Sequence, residues 1–175
     1  MSEPTIRPAE GADAEAVWAI MEPVVRAGDT YALEPDIARE DALAYWHAPG
    51  NRVFVAEIGG EVLGTYVLRA NARGPGDHVA NCAYMTHPDA QGRGIARAMC
   101  ADSLERARAH GFRAMQFNFV VSTNTRAIAL WRRFGFEIVG TLPGAFRHPE
   151  HGFVDAHVMY RWLGHDEVGS KRSGL

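Results

Sequence analysis

The feature that most constrains this chain is a glycine-containing segment, His87–Ala96, between a predicted strand and a predicted helix. The strand covers His78–Thr86, and an apolar stripe after the segment predicts a helix over Arg93–His110. Gly92 and Gly94 let the backbone approach a ligand closely, and the first N–H groups of the helix have no partner within it. These groups and the helix dipole favour an anion, so the segment predicts a diphosphate site.

The charges around this segment support the same interpretation. Arg93 and Arg97 add positive charge, and no acidic residue occurs from Gln91 to Ala101. The segment lacks both the G-x-G-x-x-G spacing of dinucleotide sites and the Lys-Ser/Thr pair of a P-loop. A glycine-rich turn that only starts a helix therefore remains the alternative to a phosphate site.

The rest of the chain alternates between strand and helix patterns, which predicts an α/β (α+β) fold. Three of the links between strands are short and three are helical, so we expect a mixed, mainly antiparallel sheet of about seven strands with helices on both faces. The predicted strands are Thr5–Pro8, Arg52–Ile58, Glu61–Arg69, His78–Thr86, Arg113–Val121, Phe136–Thr141 and Gly152–Trp162, and the predicted helices are Asp13–Arg26, Ile37–Trp46, Arg93–His110 and Thr123–Phe134.

Composition limits the partners and the compartment. A length of 175 residues suits one domain, which we place at 1–163, with a flexible polar tail at 164–175. A net charge of -3 argues against nucleic acid as a partner, and no apolar run is long enough to enter a membrane as a span. Cys82 and Cys100 lack metal-ligand spacing, so we expect reduced thiols, no metal site and a cytoplasmic protein.

Two motifs carry a family resemblance. The segment Gln91-Gly92-Arg93-Gly94-Ile95-Ala96 resembles the Q/R-x-x-G-x-G/A signature of the GCN5-related N-acetyltransferases, and Asn124-x-x-Ala127-x-x-Leu130-Trp131-x-x-x-Gly135-Phe136 resembles their second motif. The resemblance implies a sheet splayed in its middle, acetyl-CoA as co-substrate, and acetyl transfer to the amine of a small molecule. It places the diphosphate of acetyl-CoA on the backbone of Gln91, Gly92, Arg93, Gly94, Ile95 and Ala96.

The resemblance also assigns roles around the acetyl group. Met85 and Thr86 would pair with pantetheine, and the Met85 N–H would polarise the thioester carbonyl. Asn124 would serve the transfer step, although it is also placed to cap the following helix. Trp131 would contact the cofactor where the family commonly has a tyrosine that protonates the thiolate, and indole is not a useful acid. The base stays open between a water relay and five side chains, namely His78, Tyr84, His87, Asp155 and His157.

Asparagines in two predicted strands point to the acceptor site. Asn81 shares a strand face with Met85, and alternation puts Asn118 and Val120 on one face of the next strand. Asparagine is depleted from strands, and its neutral amide suits a carboxylate or amide substrate. The alternative is that both asparagines satisfy backbone groups where the sheet splays.

Short matches at 78–81, 117–124 and 154–156 also resemble one subgroup, the fungal enzymes that acetylate L-azetidine-2-carboxylate and other proline analogues. This match implies substrate contacts from Asn81 and Asn118. Tyr31, in the loop between the first two helices, is expected either to close over the substrate or to pack on the core. Arg147 and His148, in the loop before the last strand, are expected to line the same pocket.

Two other functions stay open at this point. One is acetylation of a protein N-terminus or lysine, which requires an open peptide groove. The other is a CoA-binding module without catalysis, which the replacement of the tyrosine by Trp131 favours slightly. Because relatives often dimerise, a homodimer is one expected assembly, without an interface assigned.

Overall fold

A computed structural model describes residues 3–164 of the chain. The tail predicted at 164–175 lies outside the described residues apart from Gly164. Within residues 3–164, none of the helices combines the length and apolar composition of a membrane span. The elements are β1 (Thr5–Pro8), α1 (Ala14–Ala27), α2 (Arg39–Trp46), β2 (Arg52–Ile58), β3 (Glu61–Ala70), β4 (Val79–Thr86), α3 (Ile95–Ala109), β5 (Ala114–Val121), α4 (Thr125–Arg133), β6 (Glu137–His148) and β7 (Gly152–Trp162).

All the strands join one 7-stranded sheet in the order β1-β2-β3-β4-β5-β7-β6. β4 and β5 are parallel, and every other neighbouring pair is antiparallel. A parallel pair needs a crossover connection, which α3 supplies. The predicted mixed, mainly antiparallel α/β fold is therefore confirmed.

Side chains alternate between the two faces of the sheet and form two separate cores. One core contains Tyr66 and Leu68 of β3 and lies under α3 and α4, on what we call the α3 face. The other contains Val67 and Met85 and lies under α1 and α2, on the α1/α2 face. The sheet separates the two cores, and β4 and β5 are neighbours near its centre.

The side-chain alternation predicted for β5 is wrong beyond Asn118. The pairing of β5 with β7 shifts register between Phe117 and Val120, which is the mark of a β-bulge. Val120 therefore lies in the same core as Phe117, while the ring of Phe119 packs 6.2 Å from that of Phe146. A bulge breaks the two-residue period, so alternation along one strand could not place Val120.

The last hairpin is longer than predicted. β6 continues past Thr141 to His148, so Arg147 and His148 lie in a strand and not in a loop. Pro143 and Gly144 follow the predicted end of the strand, and both lie within a second register shift with β7, between Leu142 and Phe146. Bulges accept Pro and Gly because the extra residue needs no ladder hydrogen bond.

Candidate active site

The sheet opens between its two parallel strands. β4 and β5 pair only as far as Asn81 and Gln116, and both strands then continue separately. Beyond this point, the backbone groups on the facing edges of the two strands have no ladder partners. Such groups require other hydrogen-bond partners. The gap between 82–86 and 117–121, which we call the split, is therefore a place where a ligand can pair with the backbone.

Hydrogen bonds at both ends of β4 show which way its backbone groups point. The His87 N–H donates to the Leu63 carbonyl at 2.8 Å, and the Val79 carbonyl accepts from the Asn71 N–H at 2.8 Å. Both contacts are made with β3 or its extension. Since backbone groups alternate along a strand, the odd-numbered residues of β4 face β3 and the even-numbered residues face the split.

Tyr84 and Thr86 therefore turn their backbone groups into the split. One contact supports this directly, because the Tyr31 hydroxyl donates to the Tyr84 carbonyl at 2.6 Å. The Met85 N–H points to β3, and its side chain is buried in the core of the α1/α2 face. This geometry corrects the prediction that the Met85 N–H reaches the acetyl group. The Thr86 backbone faces the split, and its pairing with pantetheine stays a prediction.

Tyr31 packs on the core, which is one of the two roles that the sequence left open. Its ring packs edge-on against Trp46, with the ring centroids 6.5 Å apart. Its hydroxyl reaches the split from the α1/α2 face. Burial raises the pKa of Tyr31, so the hydroxyl keeps its proton near neutral pH and remains a donor.

The glycine segment forms the turn into α3. Gly92 and Gly94 have φ of 81° and 80°, and a β-carbon at either would meet no atom within 4 Å. The left-handed backbone, and not a lack of space, is therefore the reason for glycine at both positions. α3 begins at Ile95, two residues later than predicted, and its first turn contains no acidic residue.

Packing fixes this turn against the sheet. Ile95 is buried, and a β-carbon at Gly64 of β3 would lie 2.5 Å from its Cγ2 atom. On the outer side, Arg126 of α4 donates to the Gln91 side-chain oxygen at 2.9 Å. Ala96 is half-buried, and four residues of the turn are exposed, namely Gln91, Gly92, Arg93 and Gly94. Their backbone is accessible to a ligand.

Aromatic side chains close the α3 face of the split. The Trp131 ring lies 4.9 Å from that of Tyr84 and 5.1 Å from that of Phe117, and Trp131 is only 8% exposed. The Tyr84 hydroxyl lies 2.7 Å from the Ser103 hydroxyl, and burial raises its pKa well above the usual range. Neither side chain is thus suited to protonate a thiolate.

Asn124 caps α4. Its side-chain oxygen accepts from the Ala127 N–H at 3.3 Å, which confirms the capping alternative and explains why α4 begins at Thr125. The cap uses only the oxygen of the amide. The NH2 group of Asn124 keeps its donors for a ligand, so the two roles are compatible.

The two predicted asparagines belong to one hydrogen-bonded group on the α1/α2 face. The Asn81 NH2 donates to the Gln116 carbonyl at 3.0 Å, where the split begins. The Gln116 NH2 donates to the Asn118 oxygen at 2.9 Å, and the Asn118 NH2 donates to the Asn71 oxygen at 2.7 Å. We call Asn71, Asn81, Gln116 and Asn118 the amide row. Arg69, which is not part of the amide row, donates to the Asn81 oxygen at 3.3 Å.

Asn81 therefore satisfies a backbone carbonyl, which was the alternative interpretation. It is 7% exposed, whereas Asn118 is exposed to solvent. Sequence reasoning missed Arg69 and Asn71 of this group. Strand alternation from Val67 would have placed both on the α1/α2 face. Only the pairing of β3 with β4 shows that Arg69 lies opposite Asn81, and the contact of Asn71 with Asn118 joins residues far apart in the chain.

A cavity of about 440 Å³ lies beside Asn124. The His148 Nδ1 atom accepts from the N–H groups of Glu150 at 3.1 Å and His151 at 3.3 Å, and the two histidine rings stack 4.5 Å apart. His148 lines this cavity, whereas Arg147 lies over the ring of Phe153. The lining is made of Ala27, Asp29, Thr30, Thr123, Asn124, His148, Pro149, Glu150 and His151.

None of the five predicted bases is in the lining of that cavity. Asp155 accepts from the Gly144 N–H at 2.9 Å, and His157 shares a hydrogen bond with Thr141 at 2.9 Å. These bonds hold the β6–β7 hairpin. The sequence did not single out His151, because nothing in a single chain shows that the turn after His148 folds toward α1.

Comparison with known proteins identifies the family. Residues 18–136 match the Acetyltransferase (GNAT) family, and this span covers more than half of the chain. The chain therefore belongs to the GNAT family and is an acetyl-CoA-dependent N-acetyltransferase.

Two relatives match the chain over different shares of their length. It is 32% identical to the L-amino acid N-acetyltransferase AaaT of Escherichia coli over 165 residues, which are 92% of this chain and 99% of AaaT. It is 33% identical over 98 residues to the N-acetyltransferase aca1 of Schizosaccharomyces pombe, and this match covers 55% of the chain but 47% of aca1.

Two solved structures share the fold along the chain. A GCN5-related N-acetyltransferase from Kribbella flavida is 44% identical, with a TM-score of 0.86 and coverage of 91% of this chain and 98% of that one. A phosphinothricin acetyltransferase from Sinorhizobium meliloti, solved in complex with AcCoA, is 25% identical, with a TM-score of 0.82 and coverage of 100% and 96%.

The residues on this chain fit acetyl-CoA. The split presents the backbone of Tyr84 and Thr86, and the turn before α3 presents an exposed backbone in left-handed conformation. No acidic residue in the first turn of α3 would repel a diphosphate. Between residues 3 and 164 no group of three or more side chains is arranged to hold a metal ion.

Proposed function

We propose that this N-acetyltransferase acts on the amine of a free amino acid or cyclic imino acid. The observation that carries the proposal is the amide row beside the split, which offers neutral donors. It lies on the face opposite the rings of Tyr84, Phe117 and Trp131, which we call the aromatic floor. Neutral amides donate hydrogen bonds to a carboxylate without adding a charge of their own to the site. The identity to an L-amino acid N-acetyltransferase supports the same substrate class.

The backbone of β4 and the turn before α3 would hold the co-substrate. Acetyl-CoA supplies the acyl group as a thioester when it is bound. The Tyr84 N–H, which faces the split, would donate to the carbonyl oxygen as charge develops there. Thr86 would pair with pantetheine, and the turn from Gln91 to Ala96 would hold the diphosphate.

The acceptor side must receive a proton from the attacking amine. The cavity beside Asn124 carries His151 and Glu150, and we propose that the proton passes to this cavity, through water or directly. Trp131 supplies no acid. A thiol with a pKa of about 8.5 is a tolerable leaving group near neutral pH, so the reaction does not require the tyrosine that Trp131 replaces.

The proposal is tested by measuring CoA-thiol release from acetyl-CoA across a panel of amines. The panel contains L-azetidine-2-carboxylate, L-proline, primary amino acids, polyamines and short peptides. We expect saturable turnover on amino or imino acids, and a loss of that turnover in Asn118→Ala without a loss of acetyl-CoA affinity. Turnover on peptides alone would contradict the proposal and assign the chain to peptide N-acetylation.

We further propose that the chain acts in the cytoplasm as one acetyltransferase domain over 1–163, and that it forms a homodimer. The two cysteines are buried free thiols, which suits a reducing compartment. Sedimentation equilibrium of the full chain tests the assembly. A mass equal to one chain at micromolar concentration would contradict the dimer.

A further inference from the structure

One cation on the α1/α2 face is not used by the proposed mechanism. Arg69 stands on β3 directly opposite Asn81 of β4, at the last position before the split opens. Its side chain is half-buried, and its Nε atom donates to the Asn81 oxygen at 3.3 Å. Among residues 3–164, no carboxylate forms an ion pair with Arg69.

The contacts of Asn81 fix the direction of this guanidinium. The Asn81 NH2 is held by the Gln116 carbonyl at 3.0 Å, so its oxygen is turned toward Arg69. A guanidinium has five N–H donors, and the bond to Asn81 uses the one on Nε. The donors on the two terminal nitrogens keep the planar fork that matches a carboxylate.

We propose that Arg69 binds the carboxylate of the acceptor, and that Asn81 positions its guanidinium for this contact. This inference rests on the proposed function, since it presupposes an amino or imino acid acceptor. In such a molecule the carboxylate is one carbon from the amine, and the split, where acetyl transfer takes place, begins next to Arg69. The amide row itself is neutral, so Arg69 supplies the positive charge that selects an acid over its amide.

The position of Arg69 also suits the chemistry of the amine. Acetyl transfer requires the neutral amine, and a nearby cation disfavours the protonated form. An acceptor whose carboxylate is held by Arg69 therefore carries its amine in a positive field. An amide analogue of the same size would fill the site but would gain less from Arg69, because it offers no negative charge.

Calorimetric binding to the protein saturated with CoA tests the proposal without turnover. The probes are L-azetidine-2-carboxylate, L-proline and a set of primary L-amino acids, each measured beside its carboxamide. We expect the unaltered chain to bind at least one acid more tightly than its amide. In Arg69→Ala the acid should lose affinity by roughly 10- to 100-fold, as for a lost charge-assisted hydrogen bond, and the amide by less than about threefold.

Two further variants separate recognition from structure. Arg69→Lys keeps the charge but not the fork, and we expect it to restore only part of the affinity for the acid. Arg52→Ala removes the same charge from an exposed position of β2, and we expect no change in either probe. Equal losses for acid and amide in Arg69→Ala, or no preference for acids in the unaltered chain, would overturn the proposal.

The same samples distinguish this inference from the proposed function. Acids that bind through Arg69 but are never acetylated would leave the carboxylate site standing and contradict the acceptor class. Acetylation of amino acids with an affinity independent of Arg69 would support the acceptor class and contradict the carboxylate site. If neither acids nor amides bind to the CoA complex, both proposals fail.

Discussion

The α3 face and the α1/α2 face of the split are built by different means. On the α3 face and its edge, the groups available to a ligand are backbone groups of β4 and of the turn before α3, with Trp131 as a floor. On the α1/α2 face they are side chains, the amide row and Arg69. A site made of backbone tolerates changes of side chain except at glycines, whereas a site made of side chains can change specificity with one substitution.

The largest effect that separates the two faces is expected from Gly94→Val. Valine at a φ of 80° is strained, at a cost of roughly 1–2 kcal/mol, and the turn would lose its exposed backbone donors. Together these losses predict about 100-fold weaker acetyl-CoA binding in a fluorescence or calorimetric titration.

Gly60→Val is the matched control for that substitution. Gly60 has a similar φ of 84° and open space around it, but it lies in the β2–β3 hairpin, far along the chain from the turn. We expect lower stability in both variants and weaker acetyl-CoA binding only in Gly94→Val. Equal loss of binding in the two variants would show that general destabilisation is the cause.

Asn81 and Asn118 sharpen the contrast within the amide row. Asn81→Ala leaves the Gln116 carbonyl and the Arg69 Nε atom without partners, which predicts a loss of about 1–3 kcal/mol in the free energy of unfolding. Asn118→Ala, at an exposed position, should cost no more than about 0.5 kcal/mol. Urea denaturation of both variants checks this, and equal losses would argue against Asn81 as a structural element of the split.

A smaller effect is expected from Trp131→Tyr on the aromatic floor. The substitution places a phenol where the family commonly has one, and acid assistance to a thiolate that is already a fair leaving group should raise kcat by about two- to tenfold. Trp131→Phe keeps an aromatic ring without a hydroxyl and is the control. An increase of the same size in both variants would mean that ring size, and not proton donation, limits the reaction.

The smallest effect concerns the exclusion of water from Cys100, in the core on the α3 face. Burial raises the pKa of Cys100 to about 12, and its side chain is 0% exposed. Because the native pKa is raised, the contribution of Cys100 to the free energy of unfolding is fully present below the pKa of the unfolded thiol, about 8.5. It is lost as the pH rises from there through the native pKa. Between pH 7 and about 9.5, the native chain should therefore lose about 1 kcal/mol more stability than Cys100→Ala. Urea midpoints that fall in parallel would indicate a solvated thiol.

The sequence predicted the fold and the co-substrate, because both depend on local patterns. The hairpin glycines, the apolar stripes and the turn from Gln91 to Ala96 each have a signature within a few residues. The direction of the Met85 N–H was predicted wrongly. Which strand edge an N–H faces depends on the pairing of β3 with β4, and an error of one residue reverses that direction.

The proposed acceptor side was less predictable because it is assembled across strands. Asn81 and Asn118 were singled out because asparagine is unusual in strands, but Arg69 and Asn71 are unremarkable in their own segment. The bulges in β5 and β6 moved Val120 and His148 from their expected places. Such features follow from strand register, which a single sequence does not specify.

We expect acetyl-CoA to pair with the split through the even-numbered residues of β4, and the acceptor to lie on the α1/α2 face. The decisive experiment is a crystal structure of the full chain with CoA and its best acceptor. We predict pantetheine hydrogen-bonded to the backbone of Tyr84 and Thr86, and the acceptor carboxylate on Arg69. Pantetheine paired with Met85, or both ligands on the α3 face, would contradict the account.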